Sequence, residues 1–255
     1  MVDSKVDYLY DGTFEGFLTC IYYHYASQKA EGIYPKETYQ PNLLVDCKEV
    51  FSEEGLARRV YRGIECKISP FDLERVYKVF LSSVPDKENH LLRYLQLGFQ
   101  LGGNVSRLHG NPIVFEVQKI DRQVGFEVHR YKGLIRFTVL ANGVMYSPIE
   151  PDHDVLELLA EHFTDRFRDD PFLIHDKKRN KAMIAAGGQW YICDFAASEL
   201  PVQAVDELDY QRLWCNYFDT IAIKERTNKK CQKNFMPVRY WKHLTEMTPE
   251  FTPGR

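Results

Sequence analysis

No apolar run in this 255-residue chain approaches the length of about eighteen that a bilayer requires, and mean hydropathy is −0.40, so no membrane-spanning helix is expected. The opening residues lack a basic stretch followed by an apolar one, so no signal peptide is expected either. None of the six cysteines stands in a C-x-x-C pair, which excludes a zinc ribbon and a cysteine-ligated iron–sulfur cluster. Scattered cysteines predict reduced thiols and a cytoplasmic protein. G-x-x-x-x-G-K-[ST], G-x-G-x-x-G, G-x-S-x-G and H-E-x-x-H are all absent. Nucleotide triphosphatase, dinucleotide and serine-hydrolase readings thereby lose most of their support. No internal repeat or low-complexity tract is present.

What is there begins with helical periodicity. Phe14, Phe17, Leu18, Ile21, Tyr22 and Tyr25 recur at three and four, with Asp11 or Thr13 as cap. A loop-like stretch containing Pro35 and Pro41 follows. Helical patterns resume in "EGLARRVYRGI", in "SPFDLERVYKVFLSS" behind a Ser69-Pro70 start, in "ENHLLRYLQLGFQL" and from Ile113 to Tyr131. From Gly133 the pattern changes: "LIRFTVL", Asn142-Gly143 and "VMYSPI" read as a hairpin. A helix from Val155, the strand "PFLIHD" and a second hairpin turning at Gly187-Gly188 complete the order β-β-α-β-β-β. The expected fold class is α+β: a helical lobe over 1–132, a mostly antiparallel module over 133–200, and a helical, basic segment over 201–255 that packs on the rest and ends in the loose stretch "TPEFTPGR", either as separate parts or as one continuous domain.

Two charge clusters stand out. "KERTNKKCQKNFMPVRYWKH", residues 224–243, carries seven Lys or Arg against one Glu, net +6 in a chain of net −3, so the rest sums to −9. Arg226, Lys229, Lys230, Lys233, Arg239 and Lys242 suit phosphates; Phe235, Tyr240 and Trp241 suit base stacking. Pro237 argues against a continuous helix there. The bland alternative is a solvated helix end with Phe235 and Trp241 as core anchors. Residues 150–170 form the acidic counterpart, eight carboxylates against two arginines. Asp152 and Asp154 can be explained as helix-start residues. Asp152, His153, Asp154, His175 and Asp176 can also serve as metal ligands, and Pro151-Asp152 with Asp176-x-Lys178 resembles a nuclease pattern in which Lys178 steadies the nucleophile. His162 reads as a core histidine. Arg136 interrupts an apolar strand and needs either an internal carboxylate such as Glu150 or an external phosphate.

In order, "YDGTFEGFL", "GLIRF", "YSPIEPDHDVLELLAEHFTDRF", "FLIHDKKR", "IAIKERTN" and "FMPVRYWKHLTEM" resemble a bacterial family of DNA-metabolism or DNA-repair proteins with no established activity. The resemblance covers nearly the whole chain. It implies a radical-SAM partner protein, and a domain elsewhere joined to uracil-DNA glycosylase-like proteins. The matching positions, carried over as candidates without roles, are Arg136, Glu150, Asp152, His153, Asp154, His162, Arg166, His175, Asp176, Arg179, Arg226, Asn228, Arg239, Tyr240, Trp241 and Lys242. The chain lacks the Cys triplet of a radical-SAM enzyme and the loops of a glycosylase, so such chemistry would belong to another polypeptide.

The leading expectation is a nucleic-acid-binding accessory protein, with DNA as the polymer, working beside a radical-SAM enzyme. Arg136, Arg226, Asn228, Lys229, Arg239, Tyr240, Trp241 and Lys242 would form the interface. The alternatives are a divalent-metal nuclease or base-processing enzyme centred on Asp152, Asp154, His175, Asp176 and Lys178, and a protein–protein adaptor. No resident cofactor, metal site or membrane contact is expected. The leading reading presumes that the cationic stretch lies open; neutralisation by the chain's own carboxylates would remove it.

Overall fold

The computed structural model describes residues 6–41, 43–196 and 200–248, so the stretch expected to be loose lies, from 249 onward, outside the described residues. The backbone divides into two compact units, Met1–Gly125 and Phe126–Arg255, with the division inside one long helix.

Unit 1 opens with β1 (Val6–Tyr10), α1 (Phe14–Ala26), β2 (Ala30–Pro35) and β3 (Asp46–Glu49). The three strands form a parallel sheet in the order β2-β1-β3. The helices α2 (Glu54–Lys67), α3 (Pro70–Phe80), α4 (Lys87–Leu101) and the first part of α5 (Pro112–Leu134) complete the unit. Local chemistry sets the helix starts. The Thr13 hydroxyl accepts from the Gly16 amide at 3.0 Å, and the Ser69 hydroxyl accepts from the Asp72 amide at 3.0 Å ahead of Pro70 at the first helical position. Tyr8, Tyr10, Phe17, Ile21, Ile64, Leu91, Tyr94 and Leu95 are buried in one core, each worth roughly 1.5–3 kcal/mol of transfer energy. A charged network is buried with them. Asp72 Oδ1 accepts from Arg75 Nη1 at 2.8 Å, from the Tyr94 hydroxyl at 2.6 Å and from Ser106 Oγ, while Arg75 Nε donates to Asp121 at 3.2 Å. Burial first, and the bond to Asp72 second, push the Tyr94 hydroxyl up to about 12. The helices are those expected; the parallel sheet is an addition to the helical lobe.

Unit 2 holds β4 (Thr138–Val139), β5 (Met145–Ile149), α6 (Leu156–Arg166), β6 (Phe172–Asp176), β7 (Lys181–Ala186) and β8 (Gln189–Asp194). This is the β-β-α-β-β-β order read from the sequence, and the class is α+β. The sheet runs β4-β5-β6-β7-β8. Its pairs are antiparallel except β5–β6, which α6 bridges as a crossover. Gly187 and Gly188 have φ of 59° and 75°, the two positive values a tight two-residue hairpin turn demands. β4 is shorter than "LIRFTVL" suggested: Ile135–Phe137 link α5 to the strand without joining it. α7 (Glu207–Ile221), α8 (Lys229–Phe235) and 3-10 turns at Val238–His243 and Thr245–Met247 follow. Among the described residues no helix is long and apolar enough to cross a membrane.

Candidate functional site

The two charge clusters of the sequence meet in part: Arg239 and Lys242 of the basic segment pair with Asp152 and Glu150 of the acidic one. β5 delivers Glu150, Pro151 and Asp152 beside the end of β6, where Asp176 is fully buried. Asp176 Oδ1 accepts from the amides of Lys178 at 2.9 Å and Arg179 at 3.2 Å, and Oδ2 accepts from Arg179 Nη1 at 2.8 Å. Arg179 Nη2 then donates to the Asp152 carbonyl at 2.7 Å, tying the loop after β5 to the β6–β7 turn. From α5, buried Glu127 accepts the amides of Asp152 at 2.9 Å and His153 at 2.8 Å.

The C-terminal residues close onto this acidic frame. Arg239 pairs with Asp152 through Nη1, reaches Glu127 at 3.4 Å through Nη2 and donates to the Tyr240 hydroxyl at 3.0 Å. Lys242 pairs with Glu150, and His243 Nε2 lies 3.2 Å from the same carboxylate. The bond from Lys242 leads in holding the Glu150 carboxyl below its ordinary value, against the opposing effect of burial. Tyr240 is buried, edge-to-face on Tyr131 with centroids 5.0 Å apart. The Trp241 indole donates to the Met236 carbonyl at 2.9 Å. Arg136 binds Glu246 through Nη2 at 2.8 Å and Nε at 3.3 Å and lies over Trp214. Its partner is an internal carboxylate, as one reading had it, but Glu246 in place of Glu150.

These contacts give the expected interface residues internal partners: Arg239, Lys242 and Arg136 each meet a carboxylate, Tyr240 packs on Tyr131 and the Trp241 indole donates to the Met236 carbonyl, while the side chains of Arg239 and Lys242 remain 47% and 52% exposed. Asn228 has a local task as well: its side chain accepts from the Cys231 amide at 3.0 Å and caps α8.

Most of the metal candidates have internal partners, while His175 Nε2 is buried without a hydrogen-bond partner among the described residues. Asp152 is also 3.6 Å from Lys178, Asp154 is 3.6 Å from Lys181, and Asp176 is saturated by the turn and Arg179. His175 is buried between Tyr146, whose hydroxyl is 3.1 Å from Nδ1, and Phe195; burial, then the charge of Lys177, holds its imidazole below the ordinary value. His153 is held down first by burial, against Glu127 and Asp152. Among the described residues no three His, Cys, Asp or Glu converge as a metal site. His162, expected as a core histidine, is half-buried and packs edge-to-face on Phe163 with centroids 4.9 Å apart. The residues that sequence reasoning missed are Glu127, Glu246 and Arg179's stapling role. The signal for Glu246 was the need of Arg136 for a partner; Glu127 left none.

One part of the basic segment stays displayed. Arg226, Lys229, Lys230 and Lys233 are exposed on α8 and the turn before it, with no carboxylate partner among the described residues, and Phe235 is 77% exposed beside them. Lys229 and Lys230 occupy the first turn of α8, where the helix dipole disfavours a cation by about 0.3–1 kcal/mol each. Helix stability therefore does not account for them.

No curated protein and no solved structure matches the chain. The family model described as a domain of unknown function, DUF4130, matches residues 85–246, well over half of the sequence, and the chain belongs to that family.

Proposed function

We propose that the chain is a nucleic-acid-binding accessory protein, with DNA as its polymer, acting in the cytoplasm in repair or modification beside a radical-SAM enzyme. The observation that carries the reading is the displayed face of Arg226, Lys229, Lys230 and Lys233 with Phe235. It offers four cations within eight residues that are unpaired among the described residues, two of them where the local helix would prefer none. Cations spaced along a turn and a short helix meet successive phosphates, and an exposed ring offers a base a stacking surface. The resemblance to DNA-metabolism proteins supports the choice of polymer and of partner.

The test is fluorescence anisotropy with labelled single- and double-stranded DNA and RNA at several salt concentrations. Binding should weaken with salt, with a log–log slope of roughly −3 for four phosphate contacts. The Lys229→Glu, Lys230→Glu, Lys233→Glu variant should lose at least about tenfold in affinity. Affinity that ignores salt, or that survives the triple change, retires the reading. Co-purification with the radical-SAM protein tests the partner separately.

A further inference from the structure

We propose that a groove in unit 2, walled by Phe137, Tyr210 and Trp214 and rimmed by Lys132 and Arg166, binds an unpaired nucleotide, with its base on the rings and its phosphate on the two cations. The groove encloses about 630 Å³, within the range of roughly 300–1,000 Å³ typical of small-ligand sites. The inference deepens the nucleic-acid reading and rests on it for the view that the nucleotide belongs to a strand.

The walls are built rigidly. Phe137 meets Phe163, Phe167 and Phe172 edge-to-face or nearly so, with centroids 5.1–5.8 Å apart, which fixes the floor. The Trp214 indole N–H donates to Glu246 at 2.9 Å, and Arg136 lies 5.2 Å from its ring centre. Two interactions thus set the plane of an indole that is still 37% exposed. Tyr210, on the same helix, is 63% exposed. Two large rings held in fixed planes, Phe137 and Trp214, beside an open volume suit a flat, polarizable ligand.

Charge selects among flat ligands. Three cations, Lys132, Arg136 and Arg166, and one carboxylate, Glu207, line the groove. Arg136 is neutralised by Glu246. Glu207 is buried, and its oxygens already accept from the Val139 amide and from Gln211, each at 2.9 Å. Lys132 and Arg166 have no carboxylate partner among the described residues. Their field is felt nearby: after burial, these two charges are the main influences holding the His162 imidazole below its ordinary value. An aromatic ligand carrying an anion satisfies both the rings and the rim, and a nucleotide unit is that chemistry.

The chain labelled with 5-fluorotryptophan reports the site by fluorine NMR, because Trp214 lies in the groove while Trp190 and Trp241 do not line it. A nucleoside monophosphate should shift the Trp214 resonance and bind at least about tenfold tighter than the matching nucleoside or inorganic phosphate. Arg166→Glu with Lys132→Glu should abolish that preference, and Tyr210→Ala should weaken binding by about tenfold, with native melting behaviour retained. A single-stranded oligonucleotide that shifts Trp214 at lower concentration than the monophosphate assigns the nucleotide to a strand. The inference is overturned if Trp214 never shifts, or if monophosphate, nucleoside and phosphate act alike. Oligonucleotide binding with a steep salt slope but an unmoved Trp214 overturns this site and leaves the α8 reading standing. A monophosphate shift that persists while the α8 triple variant binds DNA normally does the reverse.

Discussion

Arg239→Ala separates a structural arginine from a ligand-binding one. Its pair with Asp152 joins two side chains that are each 47% exposed, so it contributes about 0.2–1 kcal/mol. The 3.4 Å bond to buried Glu127 adds about 1 kcal/mol, long as it is. The Tyr240 contacts, a hydroxyl at 3.0 Å and a ring centre at 5.0 Å, add about another 1 kcal/mol. Allowing for overlap, the substitution should cost about 2–3 kcal/mol. In a unit of about 130 residues that lowers Tm by roughly 6–12 °C. Arg239→Lys keeps the charge but loses the fork, and should recover about half of the loss. Calorimetry and urea melts on the full chain measure this, and anisotropy on the same samples measures DNA affinity. The expected outcome is reduced stability with affinity changed less than about twofold at a temperature where the variant is folded. An unaltered Tm together with a large loss of affinity would refute it, and would return Arg239 to the nucleic-acid interface.

Asp72→Ala should cost about 3–5 kcal/mol in urea melts, because among the described residues it leaves Arg75, 7% exposed, with the more distant Asp121 as its one carboxylate; a loss below about 1 kcal/mol contradicts the buried-network account. Lowering pH from 7 to 5 should lower Tm. His24, His153, His162, His175 and His243 all have folded values depressed chiefly by burial, so their contribution is complete above about 6.5 and is lost as pH falls. Glu150 and Glu246 add a second loss further into acid. Burial opposes both, but hydrogen bonds from Lys242, and from Arg136 and Trp214, keep their carboxyls depressed. A Tm that rises on acidification would show the sign to be wrong. Lys229→Ala with Lys230→Ala should raise the stability of α8 by about 0.6–2 kcal/mol, seen as slower amide exchange across residues 231–235, while weakening DNA binding.

The module of unit 2 was legible because its punctuation is chemical. Asn142-Gly143 and Gly187-Gly188 are residues that tolerate positive φ, and the intervening strands carry branched and aromatic side chains. The parallel sheet of unit 1 was not. β3 reads Asp-Cys-Lys-Glu and is exposed at every position, so it offers no alternation to detect. β1 is buried at nearly every position, which removes the period of two as well. The site was half legible for a related reason. Each charge cluster shows in the sequence, but Asp152 and Arg239 are 87 residues apart and Glu150 and Lys242 are 92 apart. Local pattern has no means of joining them; only the topology that returns the C-terminal turn to the end of β5 does.

That pairing changes what the charge of the basic segment means. Of the six cations that suit phosphates, Arg239 and Lys242 lie beyond Pro237 and are matched by Asp152, Glu127 and Glu150. Arg226, Lys229, Lys230 and Lys233 lie before it and are unmatched among the described residues. The proline marks the change because α8 ends just ahead of it and the chain then enters the 3-10 turn that packs Tyr240 inward. A segment acting as one open ribbon would release counterions at six sites and give a slope of roughly −4 to −5. The divided segment gives roughly −3, since a cation held by an internal carboxylate neutralises no phosphate and so releases no counterion from the polymer. Were the measured slope near −5, with Arg239→Ala and Lys242→Ala each reducing it by about one, the internal pairs would have to open on binding, and the acidic frame at the end of β5 would be a latch rather than an anchor.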